Sequence, residues 1–153
     1  MSGQSLQVHA SAVARDGRAV LLRGPSGAGK SDLALRLVAA GGMLVADDRV
    51  ELRAEAGRLL ASPPASLAGL LEVRGLGIVR RPWAPAPVTL LIDLVSAMER
   101  LPAPRHDVLL GVRLPVLAVA PFHASAAALV ALALDRPESL AGALGDSGLG
   151  DAA

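Results

Sequence analysis

The chain has 153 residues with 52% apolar side chains, enough for one domain with a sizeable core and too short for a catalytic domain beside a large second one. One Trp, one Phe and no Tyr exclude aromatic platforms for single-stranded nucleic acid, and a net charge of +1 with no basic block indicates neither a nucleic-acid tract nor a membrane anchor. The absence of Cys excludes disulfides, thiolate catalysis and Cys-based zinc sites, and leans towards a reducing, cytoplasmic setting.

The opening stretch MSGQSLQVHASAVARDG lacks the charged and apolar regions of a signal peptide, so none is expected. Residues 6–15 alternate loosely and run into Asp16-Gly17, a favoured hairpin turn. Residues 19–23 form a short apolar run directly before a glycine-rich turn, the pattern of a buried strand in an α/β sheet. A helix is predicted over 30–40. Leu33 with Leu37 and Ala34 with Val38 share its apolar face, Asp32 and Arg36 pair on the other side, and Gly41-Gly42 ends it. Residues 43–46 read as a strand ending at Asp47-Asp48. Residues 50–54 and 58–61 read as a hairpin around Gly57. A short helix over 67–71 is expected to lead into LLEVRGLGIVRR at 70–81. VTLLIDL at 88–94 is a core strand, 108–112 and 115–120 are strands, and 125–134 is an Ala/Leu helix that closes the core. The uncharged run 114–134 carries Pro115, Pro121 and His123, which favours a strand, a break and a helix over a membrane span. Residues 1–141 form the expected domain, and the Gly/Asp/Ala stretch 142–153 is expected to be a disordered tail. The fold class inferred is α/β: a mixed sheet with one long helix behind a phosphate-binding turn.

GPSGAGKS at 24–31 fits G-x-x-x-x-G-K-[ST], with a strand before it and an amphipathic helix after it. Gly24, Gly27 and Gly29 allow backbone angles that turn successive N–H groups inward around phosphate oxygens, and Pro25, Ser26 and Ala28 complete the loop. The helix adds its positive dipole end. Lys30 would reach the β- and γ-phosphates of ATP, and the Ser31 hydroxyl would ligate Mg²⁺. A plain glycine turn with an exposed Lys is the competing reading, and it is weakened because Lys30 is the only Lys in the chain.

Asp47-Asp48 falls at the end of the next strand, the sheet edge where ligands bind in open α/β folds. One carboxylate there could hold Mg²⁺ and the other could take a proton from an attacking hydroxyl, while an ordinary Asx turn fits the spacing equally well. Glu72 and Arg74 share one face of an extended segment ahead of Gly75 and Gly77, which suits either a surface ion pair or a loop touching phosphate or metal. A lone His9 in an apolar stretch reads as structural, Asp93 fits an edge position or a polar group near the site, and Arg100 carries no signal of its own.

Five blocks together resemble the HPr kinase/phosphorylase catalytic domain: Val8-His9, GPSGAGKS at 24–31, LVADDRVEL at 44–52, LLEVRGLGI at 70–78 and ERLP at 99–102. The third and fourth are the most specific, because a generic P-loop protein lacks them. The resemblance covers roughly residues 6–134, without the separate N-terminal domain of longer members. It implies a P-loop fold related to that of phosphoenolpyruvate carboxykinase. It also implies an ATP- and Mg²⁺-dependent kinase acting on a seryl hydroxyl of HPr, the phosphocarrier of the sugar phosphotransferase system, in a cytoplasmic homo-oligomer that is hexameric in the family. In many members the same site removes that phosphate again.

Carried over by position, the resemblance implies Lys30 as the catalytic P-loop lysine and Asp48 as the acid/base. It implies Asp47 as a partner near the metal, Ser31 and Glu72 as Mg²⁺ ligands, and His9 and Arg100 as active-site residues. Family members follow the late strand with a Pro-Val-Lys-x-Gly-Arg-Asn stretch tied to dephosphorylation. Here PFHASAA at 121–127 stands in its place without the Lys and Arg. Kinase activity with weak or absent phosphorylase activity is therefore expected. A small-molecule P-loop kinase and a non-catalytic ATP-binding regulatory module are the alternatives that share the turn.

Overall fold

The computed structural model describes residues 4–98, 100 and 103–135. In chain order these form β1 (Ser5–Val8), β2 (Ala10–Arg15), β3 (Arg18–Arg23), α1 (Lys30–Ala39), β4 (Met43–Ala46), β5 (Val50–Glu55) and β6 (Arg58–Ser62). After one 3₁₀ turn (Ala65–Leu67) come β7 (Leu70–Val73), β8 (Gly77–Arg80), β9 (Ala86–Leu94), β10 (Arg105–Leu109), β11 (Val112–Val119) and α2 (Ala126–Asp135).

Three hairpins share one device. The turns Asp16-Gly17, Ala56-Gly57 and Leu110-Gly111 each have positive φ at both residues, from 50° to 80°. Each joins strands paired directly across a two-residue loop: Arg15 with Arg18, Glu55 with Arg58, Leu109 with Val112. Such turns match the right-handed strand twist and need a left-handed backbone at both positions. The third is not foreseen from the sequence, because Leu in that conformation costs roughly 1–2 kcal/mol and signals no turn. The strand expected over 108–112 is therefore two strands bent at Leu110-Gly111. Pro115 sits inside β11 rather than at its start. Pairing of β11 with β9 begins only at Val116, so its missing N–H breaks no bond on that side.

Nine strands form one sheet in the order β1-β5-β6-β9-β3-β2-β4, with β11 also beside β9 and β10 outside β11. β9 is the axis. It runs parallel to β3 along one side; on the other it pairs with β6 over Ala86–Val88 and with β11 over Leu91–Leu94. The sheet separates two cores. Val20, Leu22, Leu90 and Ile92 pack against Leu33, Leu37 and Val130 of the helices. Ala19, Leu21, Val88 and Leu91 pack against Val50, Leu52 and Leu59, because the sheet curls over its own second face. β4 and β6, distant in the strand order, touch across that curl. The continuous apolar run of β9 follows from burial on both faces.

α1 ends as its sequence predicts. Gly41 adopts φ 107°, its N–H bonds Val38 O, and Gly42 N–H bonds Leu37 O at 2.9 Å, capping the last carbonyls. The helix expected over 67–71 is instead the 3₁₀ turn and then β7. Gly69 at φ 78° redirects the chain, with Trp83 and the Arg81 carbonyl closing on it. β7 and β8 form a separate two-stranded sheet. The run 114–134 divides into β11, a turn and α2, and among the described residues no helix is long and apolar enough to cross a membrane. The expected tail 142–153 lies outside the described residues, as does the end of the expected 1–141 domain.

Gly42 joins α1 to β4 where no side chain fits. A Cβ there would lie 2.8 Å from Val13 Cγ1 and 2.9 Å from the Leu37 carbonyl oxygen. Gly42→Ala is expected to destabilise the fold by about 1–3 kcal/mol through overpacking, read as a lower urea midpoint at constant slope. An unchanged midpoint would contradict this packing.

Candidate active site

β3 and β4 both run antiparallel to β2, which lies between them, so their C-terminal ends reach the same sheet edge. The glycine-rich turn follows β3 and Asp47-Asp48 follows β4. Within the turn, Gly27 and Gly29 have φ 82° and 104°, conformations that L side chains rarely adopt. The turn closes on an Ala28 N–H to Pro25 O bond, and Gly29 leads into α1 with no side-chain cap on the first helical amides. Those free N–H groups and the helix dipole make an anion-attracting cradle. Lys30 folds back across it, donating to Gly24 O at 2.5 Å and Pro25 O at 3.0 Å.

Asp47 is the hub. It is 5% exposed, and its Oδ1 accepts from the Ser31 hydroxyl at 2.8 Å and the Ser11 hydroxyl at 2.6 Å. Its Oδ2 accepts from the Glu72 backbone N–H at 3.2 Å. One carboxylate thus ties together α1, β2, β4 and β7. Ser11 was not a sequence candidate; the available signal was a single hydroxyl in the otherwise apolar ASAVA of β2.

Asp48 faces the other way. Its side chain is 64% exposed, its backbone is left-handed at φ 73°, and Arg49 lies 4.0 Å from its carboxylate. Its carbonyl accepts from Ala10 N–H, which sets the exposed His9 next to the Asp48 turn. Glu72 contributes its backbone to Asp47 while its carboxyl group stays exposed, and it forms no ion pair with Arg74 among the described residues. Arg100 is exposed and has no hydrogen bond to the turn among the described residues; Glu99, Leu101 and Pro102 of the ERLP block lie outside them.

Asp93 proves to be part of a brace below the turn. It accepts from Arg23 at 2.8 Å and from Arg105 at 2.9 Å, and Arg23 also bonds Asp107 at 2.8 Å. Burial opposes the charge on Arg23, but bonding to Asp107 and Asp93 outweighs it and holds the guanidinium pKa above its usual value. The Arg23 hydrogen bond, followed by the Val108 N–H, holds the Asp107 carboxyl below the ordinary range. Arg36, besides its 3.0 Å pair with Asp32, donates to Pro121 O and so ties α1 to the segment after β11. Pro121 and Phe122 of that segment close on Gly29, where a Cβ would meet each at 3.0 Å.

The donors shown beside Ser31 are oxygens only: its own hydroxyl and the Asp47 carboxylate, with the Ser11 hydroxyl behind them. No group of three or more His, Asp or Glu placed to hold a metal occurs among the described residues. That composition fits Mg²⁺, which takes few protein ligands and completes its shell with water and phosphate oxygens.

Residues 2–81, just over half of the chain, match the family model of the HPr Serine kinase C-terminal domain. The chain is 40% identical over 93 residues to the HPr kinase/phosphorylase of Clostridium botulinum (strain Eklund 17B / Type B), covering 61% of this chain and 28% of that one. It is 55% identical over 64 residues to the HPr kinase/phosphorylase of Listeria monocytogenes serovar 1/2a, covering 41% and 20%. The chain thus spans about a quarter of the length of these curated relatives. Among solved structures, the Hpr(Ser) kinase/phosphatase from Coxiella burnetii superposes with a TM-score of 0.75 at 27% identity, covering 88% of this chain and 97% of that one.

Truncating Asp47 would leave two hydroxyls and one amide without their acceptor. Asp47→Ala is expected to cost about 1–3 kcal/mol by urea denaturation. It should also speed amide exchange at Glu72; if the Glu72 amide exchanges as in the parent, the hub assignment is wrong.

Proposed function

The chain belongs to the HPr serine kinase C-terminal domain family, and on that premise we propose that it is an ATP-dependent protein kinase that phosphorylates a seryl residue of an HPr-type phosphocarrier. The observation that carries the reading is the Asp47 hub, which ties the end of β4 to Ser31 of the glycine turn, with Asp48 next in the chain. The reading includes a cytoplasmic location, a P-loop fold of the phosphoenolpyruvate carboxykinase type, a domain over 1–141 and a homo-oligomer.

In this mechanism the turn amides and the head of α1 bind the β- and γ-phosphates. Lys30 leaves the Gly24 and Pro25 carbonyls and pairs with the transferring group. Ser31, Asp47 and Glu72 would hold Mg²⁺, which would offset charge on the phosphate oxygens. Asp48 projects into solvent, where a protein substrate can reach it. Its carboxylate orients the acceptor hydroxyl and takes its proton as the seryl oxygen bonds to the γ-phosphorus and the bond to ADP breaks. His9 stands beside Asp48 to position it, and Arg100 stabilises the transferring charge. Most of the acceleration comes from positioning and preorganised charge.

The protein is to be mixed with ATP, Mg²⁺ and the HPr of its host, and the product mapped by mass spectrometry. One phosphoserine is expected, and Asp48→Asn should lose on the order of 100-fold or more in transfer while keeping ATP affinity. Unimpaired transfer by Asp48→Asn would overturn the base assignment; ATP binding without phosphoserine would favour the regulatory module.

The reverse reaction is expected to be weak. The stretch 121–127 is without Lys or Arg, and its Pro121 and Phe122 are packed against Gly29. Serine-phosphorylated HPr incubated with the protein, Mg²⁺ and inorganic phosphate should yield little pyrophosphate, and rapid release would refute this.

A further inference from the structure

The glycine turn has two flanks. β3, β9 and β11 run parallel, and β4 runs the same way because β2 lies antiparallel between it and β3. Along the edge where all four end, their order is β4, β3, β9, β11. Asp47-Asp48 therefore stands on one side of the turn that follows β3, and the segment that follows β11 stands on the other.

That second flank carries an aromatic ring. Phe122 is the only Phe of the chain, and it is 71% exposed. The one Trp, Trp83, is taken up against Gly69 at the start of β7. The tip of the Phe122 ring lies 3.0 Å from the point that a Gly29 Cβ would occupy, so the bare glycine lets the ring lie on the turn. The ring is held in place by its backbone. His123 N–H bonds Ala120 O at 3.2 Å, Ala126 N–H bonds His123 O at 3.1 Å, and Ser125 N–H bonds His123 Nδ1 at 3.2 Å. Arg36 of α1 donates to Pro121 O, and Pro121 itself is buried. A fixed turn thus presents an apolar ring to water beside the first amides of α1. Such a ring gains by stacking on a flat π-system, and every nucleobase offers one.

The direction in which a nucleotide lies follows from the kinase reading, on which this inference rests. In in-line transfer the acceptor oxygen and the departing ADP lie on opposite sides of the γ-phosphorus. With the acceptor at Asp48, the remainder of the nucleotide points towards the β11 flank. We propose that Phe122 is the nucleobase contact of this site, stacking on the purine of ATP whose phosphates lie in the glycine turn.

The test is calorimetric titration of the full chain with ATP and, separately, with inorganic tripolyphosphate, which has the phosphates without the base. Phe122→Ala removes an exposed side chain. It is expected to weaken ATP on the order of tenfold and to leave tripolyphosphate unchanged, and Phe122→Trp should restore ATP binding. Because the chain has one Phe, its ring protons give a single set of magnetic resonance signals, and Overhauser contacts from them to the adenine H2 or H8 are expected in the ATP complex. An equal loss for ATP and tripolyphosphate would make the ring a prop for the loop and overturn the proposal. Unchanged ATP affinity would also overturn it, including the case in which only the KM for the phosphocarrier rises. A parent that binds neither compound would overturn nucleotide binding itself, and the proposal with it.

Discussion

A buried carboxylate that accepts three hydrogen bonds from three different elements organises this protein. Asp47 sits where burial is costly for any polar group, and the cost is met because hydroxyls from β2 and α1 and an amide from β7 converge on it. The consequence is positional. The residue before Asp47 belongs to a buried strand, and the residue after it must turn outward, so Asp48 takes a left-handed backbone and faces solvent. Two adjacent acids thereby acquire opposite environments, one structural and enclosed, the other open to a partner.

The sheet makes this arrangement rigid. Parallel β3, β9 and β11 bring their C-terminal ends to one edge, and the ion pairs among Arg23, Asp93, Arg105 and Asp107 brace that edge below the glycine turn. Helices cover one face, while the sheet folds over to cover the other, so a chain with few helices still builds two cores. The fit to the Coxiella burnetii kinase/phosphatase structure, covering most of both chains, is the same architecture seen in a relative.

Much of this could be read from the residues. The strand–turn–helix of 19–40, the strand ending at Asp47-Asp48 and the core strand β9 follow from apolar runs and glycine placement, because those signals are local. What escaped the sequence was set by tertiary context. Leu110 holds a turn conformation that its side chain disfavours, Gly69 converts an expected helix into the start of a strand, and Ser11 becomes a ligand of Asp47 only through the β2–β4 pairing. The roles of His9 and Arg100 came from family resemblance alone. Of these, only His9 is drawn by backbone pairing towards the acidic turn.

Lys30 is anchored by its own loop. Its ammonium group is already shared between two main-chain carbonyls of the loop it belongs to. Two of its three N–H donors are thereby engaged, so a small anion that meets the ammonium first finds one donor free. A chain of phosphates can instead engage the backbone first and capture the side chain afterwards.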